Sequence, residues 1–562
     1  MIGEVSPGLL MIVGAALVPF LKGPVRAAWM LALPVIAFAQ LLSLPYGDLG
    51  QASVAGLHLT TLRIDRLSSI FAYIFLIATF LGVLYNLYHD DRVQHTAGLV
   101  YAGSAVGAVL AGDLVTLFLY WEGTAIASVF LIWAVGSERA FHAGMRYLVV
   151  QIGSGVLLLS GVMLHAHATG SIAFTHIGLG STASWLILLA FGIKCAFPLL
   201  NGWLADAYPE ATPGGTVLLS AFTTKLAVYA LARGYAGVEL LIPIGLVMAI
   251  VPLVQAAAET DLRRALAYTL NNQLGFMVVG VGIGTELALS GTAAQAVSHI
   301  VYKSLLFMAL GAVLFRTGTA QALQLGGLYR SMPLTAAFGA VGAASIALPF
   351  LCGFVSKSLI LSAAMKGGYL WSWLILVAAG AGAFLVTGLK VPIAAFLGPD
   401  RGRRPEEAPW PMLAAMGLTA VLAVGIGIMP GLLYQLLPFK VSYDVYTLEH
   451  VVTQLQLVAF SALAFVLLAR WGWLGADRPA VLLDSDWLYR RAGFRLAGAI
   501  ERGATTLWEG IAGAAVAFAF WVKDLAKTHH GPTGVFGRDW PTGTMAFWTT
   551  LLLGAYLILS YI

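Results

Sequence analysis

The sequence predicts an all-α polytopic membrane protein of about 14–16 transmembrane helices. Three observations lead there. Hydrophobic residues make up 59% of the 562 and charged residues only 10%, too few charges to clothe a water-soluble surface. The mean hydropathy is +0.87. Finally, the apolar text falls into windows of about 20 residues, the length of helix that crosses a hydrocarbon core about 30 Å thick.

The windows divide the chain into six regions. Residues 1–95 hold spans near 7–21, 27–44 and 67–88, and the acidic Glu4 stands where a signal peptide needs basic residues, so a retained first helix is expected. Residues 96–236 hold spans near 96–112, 114–135, 143–165, 183–200 and 214–236. A second group of five, in 238–398, falls near 238–258, 265–285, 291–315, 333–365 and 370–396. Further spans near 411–437 and 452–471 occupy 399–472. The text of 473–542 changes to a long helical or amphipathic extension, whose apolar stretch 503–522 is either one more crossing or a lateral helix on the membrane face. A last span, 543–562, closes the chain.

A net charge of +5 is small for this length and reads as loop arginines and lysines rather than a nucleic-acid surface. Placing the N-terminus outside puts Lys22, Arg26, Arg92, Arg139, Arg146, Arg263, Arg264, Arg316, Arg330, Arg401, Arg403 and Arg404 in cytoplasmic loops. Only Arg63, Arg66, Arg233, Lys366 and Lys440 then face the other side, so the charge bias favours N-out. Cys195 and Cys352 both lie in apolar text and read as buried inert thiols, not as a disulfide or a metal site. No phosphate-binding glycine loop, dinucleotide fingerprint or cysteine cluster occurs, so no nucleotide, flavin, iron–sulfur or other cofactor is expected.

Two spans carry a helix breaker beside a lysine: FGIKCAFPLL, with Lys194 and Pro198, and the 333–365 segment, with Pro349 and Lys357. Proline removes a backbone hydrogen bond, which a membrane tolerates only where protein or a wet cavity satisfies the freed carbonyl. Lys194 is followed 31 residues later by Lys225, and Lys357 is followed 33 residues later by Lys390. Matching broken helices in two halves suggest an internally repeated transporter.

The intramembrane charges carry the chemistry. Glu122 lies nine residues after Asp113, about 13 Å along a helix and so near mid-membrane. An acid there marks an ion path more often than a strut. Lys194 and Lys225 are its natural partners, because a lysine's hold on its proton depends on whether a carboxylate stands beside it. The plain alternative for Lys225, some twelve residues into its helix, is snorkelling toward the interface. His299 and Lys303 are four apart and share one helix face, where an imidazole passes protons that a lysine alone would pass slowly. Lys357 reads as an exit gate, against an interface anchor. Lys390 lies near a helix end, where the anchor role is favoured. Asp206 and Glu210 would attract cations at a channel mouth or be solvated loop charges, and the second is favoured. His165, His167 and His176 lack a nearby carboxylate, so a metal site is a weak idea.

With those residues in place, the chain resembles the antiporter-like membrane subunits shared by respiratory complex I, membrane-bound hydrogenases and Mrp-type cation/proton antiporters. The resemblance runs from LRIDRLSSIF near residue 62 to GLKVPIAAFLG at 388–398. It rests on YWE ending at Glu122, GIK at 192–194 followed by WLADAYPEA at 203–211, and TKLAVYALAR ending at Arg233. DLRRALAY at 261–268, SHIVYKSLLF at 298–307 and GFVSK at 353–357 follow in order. The resemblance implies two inverted five-helix repeats, each holding a half-channel around a broken helix. It also implies an inner pair of Glu122 and Lys194, a central relay of Lys225, His299 and Lys303, and a site at Lys357. The family's usual histidine and proline near W-L-x-D-A are here Asn201 and Ala205, which removes one titratable group. The wording of DAYPEATP and SAFTTKLAVYALARG is nearest to the MrpD-like group of the Mrp type, while the tail resembles the distal antiporter-like subunit of complex I.

The expected function is therefore proton translocation, in exchange for Na⁺ or K⁺, as one subunit of a multi-subunit complex in the bacterial inner membrane. The alternative within the family is a proton-pumping subunit of a complex I-like or hydrogenase complex, without a redox site of its own. A scaffold whose buried charges only lock helices together is the alternative from another class. The partners expected are other membrane subunits and lipid, with no nucleic acid.

Overall fold

The computed structural model describes residues 5–54, 56–472, 486–531, 534 and 541–561. Residues 1–4, which include Glu4, and residues 473–485 at the start of the extension lie outside the described residues. The chain forms two compact units, residues 1–486 and 487–562.

The first unit opens with α1 (Pro7–Ala15) and α2 (Gly23–Ser43). An antiparallel hairpin follows, β1 (Gly47–Val54) and β2 (Leu57–Ile64), with Gly47 opposite Ile64 and Ser53 opposite His58. Hydropathy windows do not reveal this hairpin, since it is too short and polar to register as a span. Its β2 strand is held by the loop before the fifth helix: the Thr60 amide donates to Asp113 Oδ2 at 2.8 Å, and the Gly112 amide donates to the Thr60 carbonyl at 2.9 Å. Helices α3 (Arg66–Asn86), α4 (Arg92–Val109), α5 (Leu114–Trp133) and α6 (Glu138–Thr169) come next. The span carrying Lys194 is split into α7 (Thr182–Lys194) and α8 (Gly202–Ala207), and the following one into α9 (Pro213–Ala221) and α10 (Thr223–Gly234).

The second half continues with α11 (Leu241–Ala258), α12 (Leu262–Ile283) and α13 (Glu286–Thr317). The span with Pro349 is split into α14 (Pro333–Ala344) and α15 (Cys352–Lys366). Helix α16 (Leu370–Ala383) runs into two π-helical turns, Phe384–Lys390 and Ile393–Leu397. Helices α17 (Trp410–Ile428), α18 (Pro430–Gln435) and α19 (Leu448–Arg470) complete the unit. Twelve helices among the described residues are long and apolar enough to cross a membrane, and three shorter apolar ones accompany them. The chain is an integral membrane protein. The second unit holds α21 (Thr542–Ser560) and, from residue 487 on, α20 (Asp486–His530), an unbroken helix of 45 residues that contains 503–522. At 1.5 Å per residue α20 is about 67 Å long, over twice the hydrocarbon thickness.

Helix starts follow local chemistry. Asp65, Asp91, Asp113, Ser137, Ser181, Thr212, Asp261 and Thr285 each accept an amide of the first turn, the bond that satisfies orphan donors at an N-terminus. Asp65 also pairs with Arg233 at 2.7 Å. Burial pushes its carboxyl up, but the guanidinium and the Ser68 amide outweigh this and hold it below the usual carboxylate range. Arg63, Asp65 and Arg233 thus gather at one end of the helices. At other helix ends, Arg139 and Arg264 share Glu210, and Arg146 holds Asp206.

A repeated spacing runs through the bundle. Both boundaries of α13 lie 148 residues after those of α6, 138 to 286 and 169 to 317, and each helix ends on a left-handed glycine, Gly170 or Gly318. The isolated backbone bridges Asp113–Ala173 and Asp261–Gln321 show the same offset, 113 to 261 and 173 to 321.

Close packing relies on small residues. A Cβ on Gly275 would stand 2.5 Å from the Gly245 carbonyl oxygen, and one on Gly245 would stand 2.7 Å from that of Gly275, so α11 and α12 touch backbone to backbone. Lipid supplies no hydrophobic drive between helices, so such contact is what binds them. Gly275→Val is expected to destabilise the fold by about 1–3 kcal/mol through overpacking, read as a lower Tm of the detergent-solubilised protein. Gly425→Val, at a site with nothing within 4 Å, should leave Tm near that of the parent.

Candidate proton-transfer site

The buried titratable groups follow the order of the helices. Glu122 projects from the middle of α5 and is half-buried, yet its Oε1 is itself buried and has no hydrogen-bond partner. That oxygen rests against Gly155 of α6, where any side chain would occupy its place. Lys194, at the end of α7, is fully buried. Its ammonium donates to the Trp121 carbonyl at 2.5 Å and to Thr124 Oγ1 at 2.8 Å, and lies 4.4 Å from the Trp121 ring centroid. The expected inner pair is thus adjacent without an ion pair closer than 4.0 Å. Lys194 touches the residues flanking Glu122 and acts on the carboxylate through its field.

The backbone after Lys194 leaves the helix, with Ala196 at φ 60° and Leu199 at φ 68°, a left-handed conformation that costs these side chains strain. Trp203 Nε1 donates to the Ile193 carbonyl at 3.0 Å, which also accepts the Ala196 amide at 3.1 Å. Phe350, at φ 66°, marks the equivalent break between α14 and α15. Both cysteines are buried free thiols beside these breaks.

Lys225 corrects the expectation of a lysine deep inside one helix. The span breaks at Phe222, with φ −103° and ψ −66°, and Lys225 is the third residue of α10. Its ammonium turns back to the Ser220 carbonyl at 2.6 Å, across the break. Neither proline nor glycine marks this break, so the residue types do not signal it. Snorkelling is excluded by its full burial.

His299 and Lys303 lie on α13, both buried. Lys303 donates to Thr269 Oγ1 at 2.6 Å, and Thr269 in turn donates to the Ala265 carbonyl at 3.1 Å. Neither ring nitrogen of His299 has a partner, and the charges of Lys225, Lys303 and Lys357 all bear on it. Lys357, on α15, donates to the Ile346 carbonyl at 2.8 Å, a group freed by the helix break, and lies 5.5 Å from the Phe276 ring. Polar side chains between α12, α13 and α15 form one network. Gln295 Nε2 and the Tyr302 hydroxyl both donate to Gln273 Oε1, at 2.9 and 3.0 Å, while Ser356 Oγ donates to Gln295 Oε1 at 2.6 Å.

Two expectations change. Lys390 is no interface anchor: from a π-helical turn it donates to the carbonyls of Ala257 and Glu259, at 2.6 and 2.7 Å, capping the end of α11. Asp206 is no free loop charge: it lies in α8 and accepts two bonds from Arg146, at 2.7 and 3.0 Å. Among the described residues no cluster of histidine, cysteine, aspartate or glutamate could hold a metal ion.

The neutral members, Thr269, Gln273, Gln295, Tyr302 and Ser356, carry no charge and so do not stand out among intramembrane residues. Their signal is present as TLNNQ at 269–273, four polar side chains in five residues of an apolar helix. Buried groups that both donate and accept can pass a proton along a hydrogen-bonded chain, which apolar packing cannot do.

The family described as NADH:quinone oxidoreductase/Mrp antiporter, TM, matches residues 111–382, which hold every one of these groups except Lys390. The chain is 30% identical over 346 residues to the D subunit of the Na(+)/H(+) antiporter of Alkalihalophilus pseudofirmus, covering 56% of this chain and 69% of that one. It is 31% identical over 322 residues to NAD(P)H-quinone oxidoreductase chain 4 1 of Synechococcus elongatus, covering 53% of this chain and 60% of that relative's length. Among solved structures, the Mrp complex from Dietzia sp. DQ12-45-1b is similar with a TM-score of 0.78 and 25% identity, over 92% of this chain and 62% of that chain. The chain therefore belongs to the NADH:quinone oxidoreductase/Mrp antiporter transmembrane family.

Proposed function

We propose that this chain moves protons through the membrane as one subunit of a hetero-oligomeric complex, and that the complex is an Mrp-type antiporter exchanging Na⁺ or K⁺ for protons. The observation that carries the reading is the succession of titratable groups Glu122, Lys194, Lys225, His299, Lys303 and Lys357, in which the four lysines are bound to hydroxyls and carbonyls instead of to countercharges, while Glu122 Oε1 and the His299 ring nitrogens have no hydrogen-bond partner. A structural ion pair would have its partner beside it, because an unpaired buried charge is costly. Groups set beside hydroxyls and carbonyls can instead give up and regain protons as neighbouring charges change. Glu122 and Lys194 form the loading pair, Lys225 with His299 and Lys303 the central relay, and Lys357 the exit group.

The 148-residue offset supports two repeats, 96–236 and 238–398. The counterpart of α5, α12, is the fifth membrane segment after it, an odd step, which supports inverted repeats. Residues 1–95 and 399–472 flank them, 473–542 is a lateral extension and 543–562 a terminal span. The arginines that pair with Asp206 and Glu210 face the cytoplasm of a bacterial inner membrane, with the N-terminus outside. The similarity to chain 4 of a quinone oxidoreductase favours a second reading, a redox-driven pump whose electrons pass through partner subunits.

In everted vesicles holding the complete complex, Glu122→Gln or Lys194→Ala should cut the initial rate of pH-gradient formation by about 100-fold with assembly intact. Normal rates in both variants would refute proton translocation through these groups. Exchanging the two charges, Glu122→Lys with Lys194→Glu, should likewise keep assembly without restoring transport; restored transport would favour the scaffold reading. Adding Na⁺ or K⁺ without a redox substrate should dissipate a preformed gradient if the complex is an antiporter, and should have no effect if it is a redox pump.

A further inference from the structure

An ammonium is a compact charge with three donors, and a single turn of α5 surrounds that of Lys194. The Trp121 carbonyl accepts from it at 2.5 Å and Thr124 Oγ1 at 2.8 Å, while the indole of Trp121 turns its face to the same nitrogen, 4.4 Å from the ring centroid. Thr124 is itself oriented: its hydroxyl donates to the Trp121 carbonyl at 2.7 Å, which leaves a lone pair facing the ammonium. One residue, Trp121, thus supplies both a backbone dipole and an aromatic face to the lysine.

The indole is fixed in turn. Its Nε1 donates to Ser154 Oγ of α6 at 3.0 Å, and that hydroxyl donates to the Ala190 carbonyl of α7 at 2.8 Å, one turn before Lys194. The Phe191 ring packs against the indole with centroids 5.2 Å apart. Hydrogen bonds therefore run from Lys194 to Trp121, from Trp121 to Ser154 and from Ser154 back to α7, and all of these side chains are fully buried. Packing alone does not ask for this, since phenylalanine fills a core without an N–H that needs an acceptor. An aromatic face attracts a cation, and more strongly where water is excluded. Lys357, beside the other proline-linked break, also has a carbonyl and a ring, Ile346 at 2.8 Å and Phe276 at 5.5 Å, but that ring is more distant and has no N–H to anchor it.

We propose that Trp121 is a positioning residue of the loading pair, whose indole face and carbonyl hold the charged form of Lys194 in place of a countercharge, and that Ser154 locks the indole in that pose. A carboxylate in contact with Lys194 would be stranded as a bare buried anion each time the lysine lost its proton, at a cost that opposes release. A neutral ring leaves no charge behind. Its attraction acts on the ammonium and vanishes for the neutral amine, so the hold is released together with the proton. The Ser154 bond matters because the face attracts only when the ring plane is turned to the nitrogen.

This inference rests on the proton-translocation reading, and one set of variants separates the two. Fluorine on an indole ring withdraws negative charge from its face with little change of shape. In vesicles holding the complete complex, with tryptophan 121 replaced through a nonsense codon by its mono-, di-, tri- and tetrafluoro analogues, the initial rate of pH-gradient formation is expected to fall stepwise, about tenfold over the series. The same series at Trp133, which faces Phe130 and Phe141 instead of a lysine, should keep the parental rate. Ser154→Ala is expected to slow transport about fivefold in the parent, the effect of one lost hydrogen bond, and to add nothing in Trp121→Phe, which has no N–H to hold. If the rate does not depend on fluorine number while Lys194→Ala is inactive, the role of Trp121 is wrong and proton translocation stands. If Lys194→Ala also transports normally, both readings fall. Equal losses from Ser154→Ala in the two backgrounds would overturn the lock in favour of a packing role for Ser154.

Discussion

Everything in this bundle answers to the cost of an ammonium in a low-dielectric interior. Four lysines, Lys194, Lys225, Lys303 and Lys357, lie within the core without a carboxylate in direct contact. What they have instead is oxygen, from Thr124, Ser220, Thr269 and Ile346. A carbonyl inside a regular helix is already bonded to the amide four residues on. A helix break frees that carbonyl, and in a membrane the freed group must find a donor. Lysine and break therefore solve each other's problem, which is why Lys225 folds back onto Ser220 and Lys357 onto Ile346.

The same logic explains the departures from regular structure elsewhere. Lys390 rides on a π-helical turn and covers the carbonyl end of α11, where three acceptors would otherwise face inward. Ala196, Leu199 and Phe350 hold left-handed backbone conformations at the two proline-linked breaks. Such conformations persist only where the surroundings enforce them, and here tightly packed helices do so. The 148-residue offset shows that one arrangement of helix lengths and caps is used twice. The two halves nevertheless carry different chemistry at matching places: Gln151 stands where the second half has His299, and Gly155 where it has Lys303. In the first half the space beside Gly155 is filled from the opposite helix, by the Glu122 carboxylate.

Much of this was legible in the text. Hydropathy windows located the spans because each must exclude water along its whole length, and Pro198 and Pro349 announced two breaks because their rings preclude a helical hydrogen bond. The charged members of the site stood out for the same energetic reason that makes them rare. The β-hairpin was invisible because its alternation is short and the bonds that anchor it to the bundle run to Asp113 and Leu110, far away in sequence. The Phe222 break was invisible because no residue type demands it. Asp206 read as a loose charge because its partner, Arg146, lies sixty positions earlier.

By itself the sequence determined that the chain lies in the membrane, where its two proline-linked breaks fall, and which titratable groups it carries into the interior. Those are local properties, set by the cost of each residue in hydrocarbon and by each proline's missing amide. Only the tertiary structure decided what each group touches. Lys194 meets Thr124 and the residues beside Glu122 rather than the carboxylate itself, Lys303 meets Thr269, and Tyr101 meets Thr223. Hydrogen-bond partners are chosen by the packing of whole helices, so a one-dimensional text holds the groups and not their connections.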